Sequence, residues 1–144
     1  MLFPVEKLMI ENSEFVSNGG LLSVEIHLQT FEYFDGDATE TAKTSVILDN
    51  IDLSGLNAYA LSGTTKTFPV NPEDGYIDGS VYIQHAHHPV DVFEIVFGKI
   101  VGDSLELRFS ANLALSFEGL GEYKDTVWSF ELLVPINFLG TDRS

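Results

Sequence analysis

Alternation of apolar and polar side chains, the period of a strand with one buried face, is the dominant pattern of this chain. Leu22, Val24, Ile26 and Leu28 alternate with Ser23, Glu25, His27 and Gln29. Leu105, Leu107, Phe109, Ala111, Leu113, Leu115 and Phe117 alternate with Glu106, Arg108, Ser110, Asn112, Ala114 and Ser116. Trp128, Phe130, Leu132 and Val134 repeat the pattern against Ser129, Glu131 and Leu133. No segment carries the 3.6-residue period of a long amphipathic helix.

Turn signals separate these runs: Gly19-Gly20, Asp35-Gly36, Asp49-Asn50, Ser62-Gly63, Asp74-Gly75, Asp78-Gly79, Gly102-Asp103 and Gly119 to Gly121. Many strands divided by Gly, Asp and Asn turns predict an all-β fold, an antiparallel β-sandwich or flattened β-barrel. Strands are expected near 2–10, 21–34, 43–49, 57–61, 65–70, 80–86, 91–101, 105–118 and 124–138. Leu53, Leu56 and Leu61 also suit a short helix ended by Gly63. The chain is read as a single β domain over 1–138 with a short polar tail over 139–144. Length supports this, since area scaling for 144 residues buries about 68% of the unfolded surface. With 11 Phe, 5 Tyr and no Cys, the core needs no disulfide or metal to hold it.

One hairpin is predicted to the residue. Phe93, Ile95 and Phe97 share parity with the apolar set starting at Leu105, but continuing that parity would bury Lys99 and expose Ile100. A bulge at Gly98 removes the conflict. With a two-residue Gly102-Asp103 turn, Val101 then faces Ser104, Ile100 faces Leu105 and Lys99 faces Glu106. Beyond the bulge, Phe97 faces Leu107, Ile95 faces Phe109 and Phe93 faces Ala111.

Charge restricts the choice of partner. Twenty-two acids against 7 bases give a formal net charge of -15 and a pI near 4.3. Nucleic acid is excluded as a partner, because phosphate binding needs clustered Lys and Arg. A basic protein partner is the complementary expectation. Pro4, Glu6 and Glu11 interrupt the N-terminal segment where a signal peptide would need an apolar run, and the charge-free stretch 53–65 is too short and polar to span a bilayer. A cytoplasmic protein with no membrane partner is the resulting expectation.

His85-Ala86-His87-His88 is the sharpest local feature. On a strand, His85 and His87 project to the same side and form a pair able to grip one transition metal. His27, Asp91 or Glu94 would supply further ligands. The alternative is a polar strand end ahead of Pro89, where the chain leaves the sheet. Two acidic turns, Asp35 with Asp37 and Glu40, and Glu73 with Asp74 and Asp78, offer oxygen ligands but fit no EF-hand pattern. Gly and Asp are in any case the residues hairpin turns favour. Phosphate-loop, dinucleotide-loop and nucleophile-elbow signatures are absent, and without Cys there is no thiolate nucleophile. Enzymatic activity is therefore not expected from the sequence. Phe31, Tyr33 and Phe34 end a strand whose preceding stripe is already apolar, which marks Tyr33 as a candidate exposed anchor for a partner.

The stretch Val96-Phe97-Gly98-Lys99-Ile100-Val101-Gly102-Asp103-Ser104-Leu105-Glu106-Leu107, followed by Leu115-Ser116-Phe117-Glu118-Gly119, resembles small acidic β-rich proteins of bacterial toxin-immunity families. The resemblance implies a non-enzymatic cytoplasmic protein that binds and neutralises a cognate toxin. The resemblance assigns no functional residues; the acidic turns and the aromatic strand end are what nominate Tyr33, Asp35, Asp37, Asp74 and Asp78 as the partner surface, with no cofactor needed. A metal-dependent enzyme or metal-binding sandwich or barrel centred on His85 and His87, or a carrier with a small ligand in its barrel, are the alternatives.

Overall fold

A computed structural model describes residues 2–18, 20–53, 56–70 and 73–138; Gly19 and the expected tail over 139–144 lie outside them. Ten strands form among the described residues: β1 (Ile10–Asn18), β2 (Leu21–Leu28), β3 (Phe31–Phe34), β4 (Thr39–Ala42), β5 (Ser45–Asp52), β6 (Thr65–Thr67), β7 (Asp78–Ile83), β8 (Ala86–Val101), β9 (Ser104–Leu113) and β10 (Thr126–Pro135). One short helix, α1 (Ala58–Leu61), interrupts them. The main sheet is antiparallel throughout and runs β1-β2-β5-β7-β8-β9-β10, with β6 added to β8; β3 and β4 form a separate hairpin. This is the all-β sandwich or flattened barrel that the alternation demands. None of the helices among the described residues is long and apolar enough to cross a membrane.

The long strand β8 turns one sheet into two layers. Its first residues, Ala86 to Pro89, pair with β7, whereas Val90 to Val101 pair with β9. Pro89 sits where one partner is exchanged for the other, a place where a missing N–H costs no ladder bond. The strand therefore does not end ahead of Pro89. His88 instead points inward, 1% exposed, and its Nε2–H donates to the Ile83 carbonyl at 3.1 Å.

Both layers send their inward sets into one cluster, with Phe97, Phe109, Ile26, Leu28, Leu48 and Leu107 among its fully or nearly fully buried members. Phe109 stacks on Phe130 at 5.1 Å, and Phe130 on Trp128 at 4.1 Å, the offset geometry aromatic rings prefer. A cleft of about 660 Å³ opens at the surface, where exposed Glu106, Arg108, Glu131 and Leu133 line it together with Ile10 and Ser13.

The β8–β9 hairpin follows the expected register from its turn as far as Phe109. Val101 pairs Ser104, Ile100 pairs Leu105, Phe97 pairs Leu107 and Ile95 pairs Phe109, so Gly98 and Lys99 together oppose Glu106. Beyond that the expectation fails: Val92, not Phe93, pairs Ala111. A second register shift between Val92 and Glu94 leaves Phe93 unpaired in the ladder and 37% exposed. The inward set of β8 consequently changes parity twice, from Val90 and Val92 to Ile95 and Phe97 and then to Ile100.

Other boundaries also move. The expected strand over 2–10 is a 3-10 turn at Val5–Lys7, and β1 begins only at Ile10. The expected strand over 21–34 divides into β2 and β3. Over 57–61 the helix prevails: Asn57 caps α1 by accepting from the Ala60 N–H at 2.9 Å, and Gly63 leaves the helix with φ +81°. Phe117, expected inward on a strand reaching 118, lies beyond the end of β9 and is 72% exposed.

Candidate functional site

Three loops converge at one end of the molecule. They are the β3–β4 turn at 35–38, the β7–β8 turn at 84–85 and the β9–β10 loop at 114–125. Asp35 organises the first, its Oδ1 accepting from the backbone N–H of Ala38 at 2.7 Å and of Asp37 at 2.8 Å. Those two bonds, Ala38 first, hold its carboxyl below the usual aspartate range. The second loop joins through Gln84, whose Nε2 donates to Asp35 Oδ2 at 3.3 Å. Contact with the third is through Tyr123, whose hydroxyl accepts from the Phe34 N–H at 3.3 Å.

Beneath these loops lies an aromatic floor. Phe3 packs edge-on against Phe31 at 6.0 Å and against Tyr123 at 5.0 Å, with Tyr33 6.4 Å away. Within the β9–β10 loop, Leu115, Leu120 and Tyr123 are buried. Asp125 accepts from the Ser116 N–H at 3.0 Å and the Ser116 hydroxyl at 2.7 Å, and these bonds hold its carboxyl down as well. The three loops carry five carboxylates, Asp35, Asp37, Glu118, Glu122 and Asp125, against one amine, Lys124. Phe34 and Phe117, 43% and 72% exposed, add apolar surface to the same elements.

This end alters the expected partner surface in two respects. Tyr33 is not an exposed anchor: it faces the floor at 4% exposure, and burial, then Glu40 and Asp35, push its phenol up. The period-two pleat that buries Phe31 and Tyr33 turns Phe34 outward, so Phe34 offers the exposed ring. Asp35 and Asp37 also do not share a patch with Asp74 and Asp78. Gln84, which touches Asp35, follows the C-terminal end of β7, whereas Asp78 begins that strand about 17 Å away at 3.3–3.4 Å per residue.

The histidines are likewise placed differently. His85 is not on a strand; with Gln84 it forms a two-residue turn having positive φ at both positions, 52° and 65°, as in a type I′ hairpin. The same-side argument for His85 and His87 therefore fails, because it needs both on one strand. His87 is on β8, its ring 4.9 Å from that of Tyr82 across the strand pair. Among the described residues no third His or carboxylate donor gathers with these two. The one set of three that does gather is Glu14, Glu25 and His27 on β1 and β2. Sequence reasoning named His27 but missed both glutamates, because β1 went unrecognised.

Comparison with known protein families, curated proteins and solved structures finds no match to this chain.

Proposed function

We propose that this is a non-enzymatic binding protein whose acidic loop end captures a basic protein partner, as a cytoplasmic immunity-type inhibitor captures a basic bacterial toxin. The observation that carries the reading is the joining of the 35–38, 84–85 and 114–125 loops into one surface with five carboxylates and the exposed rings of Phe34 and Phe117. Exposed aromatic anchors supply contact area, while a surrounding field of one sign steers a partner of the other. The net charge of -15 extends that field over the molecule.

The test is binding of the purified chain to the protein encoded beside it, with charge reversals at both ends. Asp37→Lys and Glu118→Lys are expected to slow association, whereas Asp74→Lys, beyond the far end of β7, changes it far less. Phe117→Ala is expected to act mainly on dissociation. Equal effects of reversal at the two ends would remove the loop end as the recognition surface.

A further inference from the structure

We propose that Glu14, Glu25 and His27 form a binding site for a divalent first-row transition ion, zinc being the probe, on the outer face of the β1–β2 hairpin. Register creates the site. Glu14 pairs directly with Glu25, and His27 lies two residues further along β2, so all three project from the face opposite to buried Phe15, Val24 and Ile26. Glu14 Oε2 and Glu25 Oε1 each stand 3.9 Å from His27 Nε2, and the three ligand atoms lie within 4.8 Å of one another. Tetrahedral zinc, with bonds of about 2.0–2.2 Å, holds such atoms roughly 3.3 Å apart. The glutamate side chains, 69% and 44% exposed, are free to close that gap by rotation without backbone movement.

Two further features distinguish this set from scattered surface acids. His27 Nδ1 lies 2.8 Å from Ser45 Oγ on the adjoining β5. With Nδ1–H donating to that hydroxyl, the Nε2 lone pair faces the two carboxylates, the orientation a second-sphere partner gives a metal-bound imidazole. Like charges placed directly opposite on paired strands are also unfavourable unless a cation intervenes. Lys43, the amine of the adjoining segment, is already bonded to Glu11 and to the Leu28 carbonyl. One imidazole with two carboxylates selects a borderline transition ion over calcium or magnesium, and leaves the remaining coordination positions open to water or to another molecule.

The experiment is calorimetric titration of untagged protein with zinc at physiological ionic strength, with magnesium present in excess. One saturable ion per chain is expected. His27→Ala should abolish that binding, Glu25→Gln should weaken it at least tenfold, and Ser45→Ala should weaken it about tenfold as a second-sphere change. Asp74→Asn, in the segment before β7 and outside the set, should leave it unaltered. Because Glu25→Gln is isosteric and the side chain is half-exposed, it remains informative even if His27→Ala loses the fold, which a thermal melt of each metal-free variant reports. Absence of saturable binding would overturn the proposal. Binding that survives Glu25→Gln undiminished, or that is lost instead in His85→Ala or His87→Ala, would overturn it equally.

Discussion

A Cβ placed on Gly121 would lie 2.5 Å from the backbone oxygen of Asp35, a separation real Cβ atoms do not tolerate. Gly121 also has φ +53°, so both contact and conformation require glycine there. This approach seats the 114–125 loop on the β3–β4 turn. Gly121→Ala should therefore destabilise the protein by about 1–3 kcal/mol in urea unfolding. It should also weaken partner binding more than the stability loss alone explains, because it separates two of the three loops.

The bulge in β8 gives a second expectation. Gly98 does not have a positive φ, so the strain of a larger residue there comes from contact: an added Cβ would stand 3.0 Å from Glu106 Cβ. Gly98→Val should cost roughly 1–3 kcal/mol by overpacking against a β9 residue fixed by its own ladder. Equilibrium denaturation of the single variant checks the value.

At the β7–β8 turn, His85 carries φ +65°, a conformation that side-chain-bearing residues adopt at a cost. His85→Gly should raise the thermal midpoint, the relief of that strain exceeding the added freedom of the unfolded chain. A lowered midpoint would show that the imidazole contributes an interaction stronger than the strain.

Two aspartates should move stability with pH in opposite directions. Asp91 has its carboxyl raised, first by burial and then by Asp125, so the fold disfavours its ionised form. Its contribution improves as pH falls through its folded pKa, and Asp91→Asn should raise the midpoint at pH 7 with a difference that shrinks in acid. Asp35 has its carboxyl lowered by backbone N–H groups, so its contribution is present above the unfolded pKa and disappears as pH falls through the folded one. Asp35→Ala should lower the midpoint at pH 7, again with a difference that shrinks in acid. Thermal melts of both variants across an acid series separate the two signs.

Much of this fold is legible wherever alternation is uninterrupted. The inward sets of β2, β9 and β10 are the residues that the period of two selects, and the turn at Gly102-Asp103 fixes the pairing of β9 with β8 through Phe109. Legibility fails where a bulge resets parity, because the extra residue at Phe93 leaves no local mark comparable to the glycine at 98. It fails also along β1, whose only buried side chain among the described residues, Phe15, provides no periodicity to read. Losing β1 conceals Glu14, since facing Glu25 is a property of strand pairing. Asp35 and Asp37 are readable as turn residues from their spacing with Gly36. Their meeting with Gln84 and Gly121 depends on contacts about 50 and 85 residues away along the chain, which no local pattern encodes.

The most direct test of the binding account is the association rate between this chain and the protein encoded beside it, measured by surface-immobilised binding across a salt series. An acidic surface that steers a basic partner predicts association that slows steeply as salt rises, while dissociation changes little. No binding, or an association rate indifferent to salt, would contradict it.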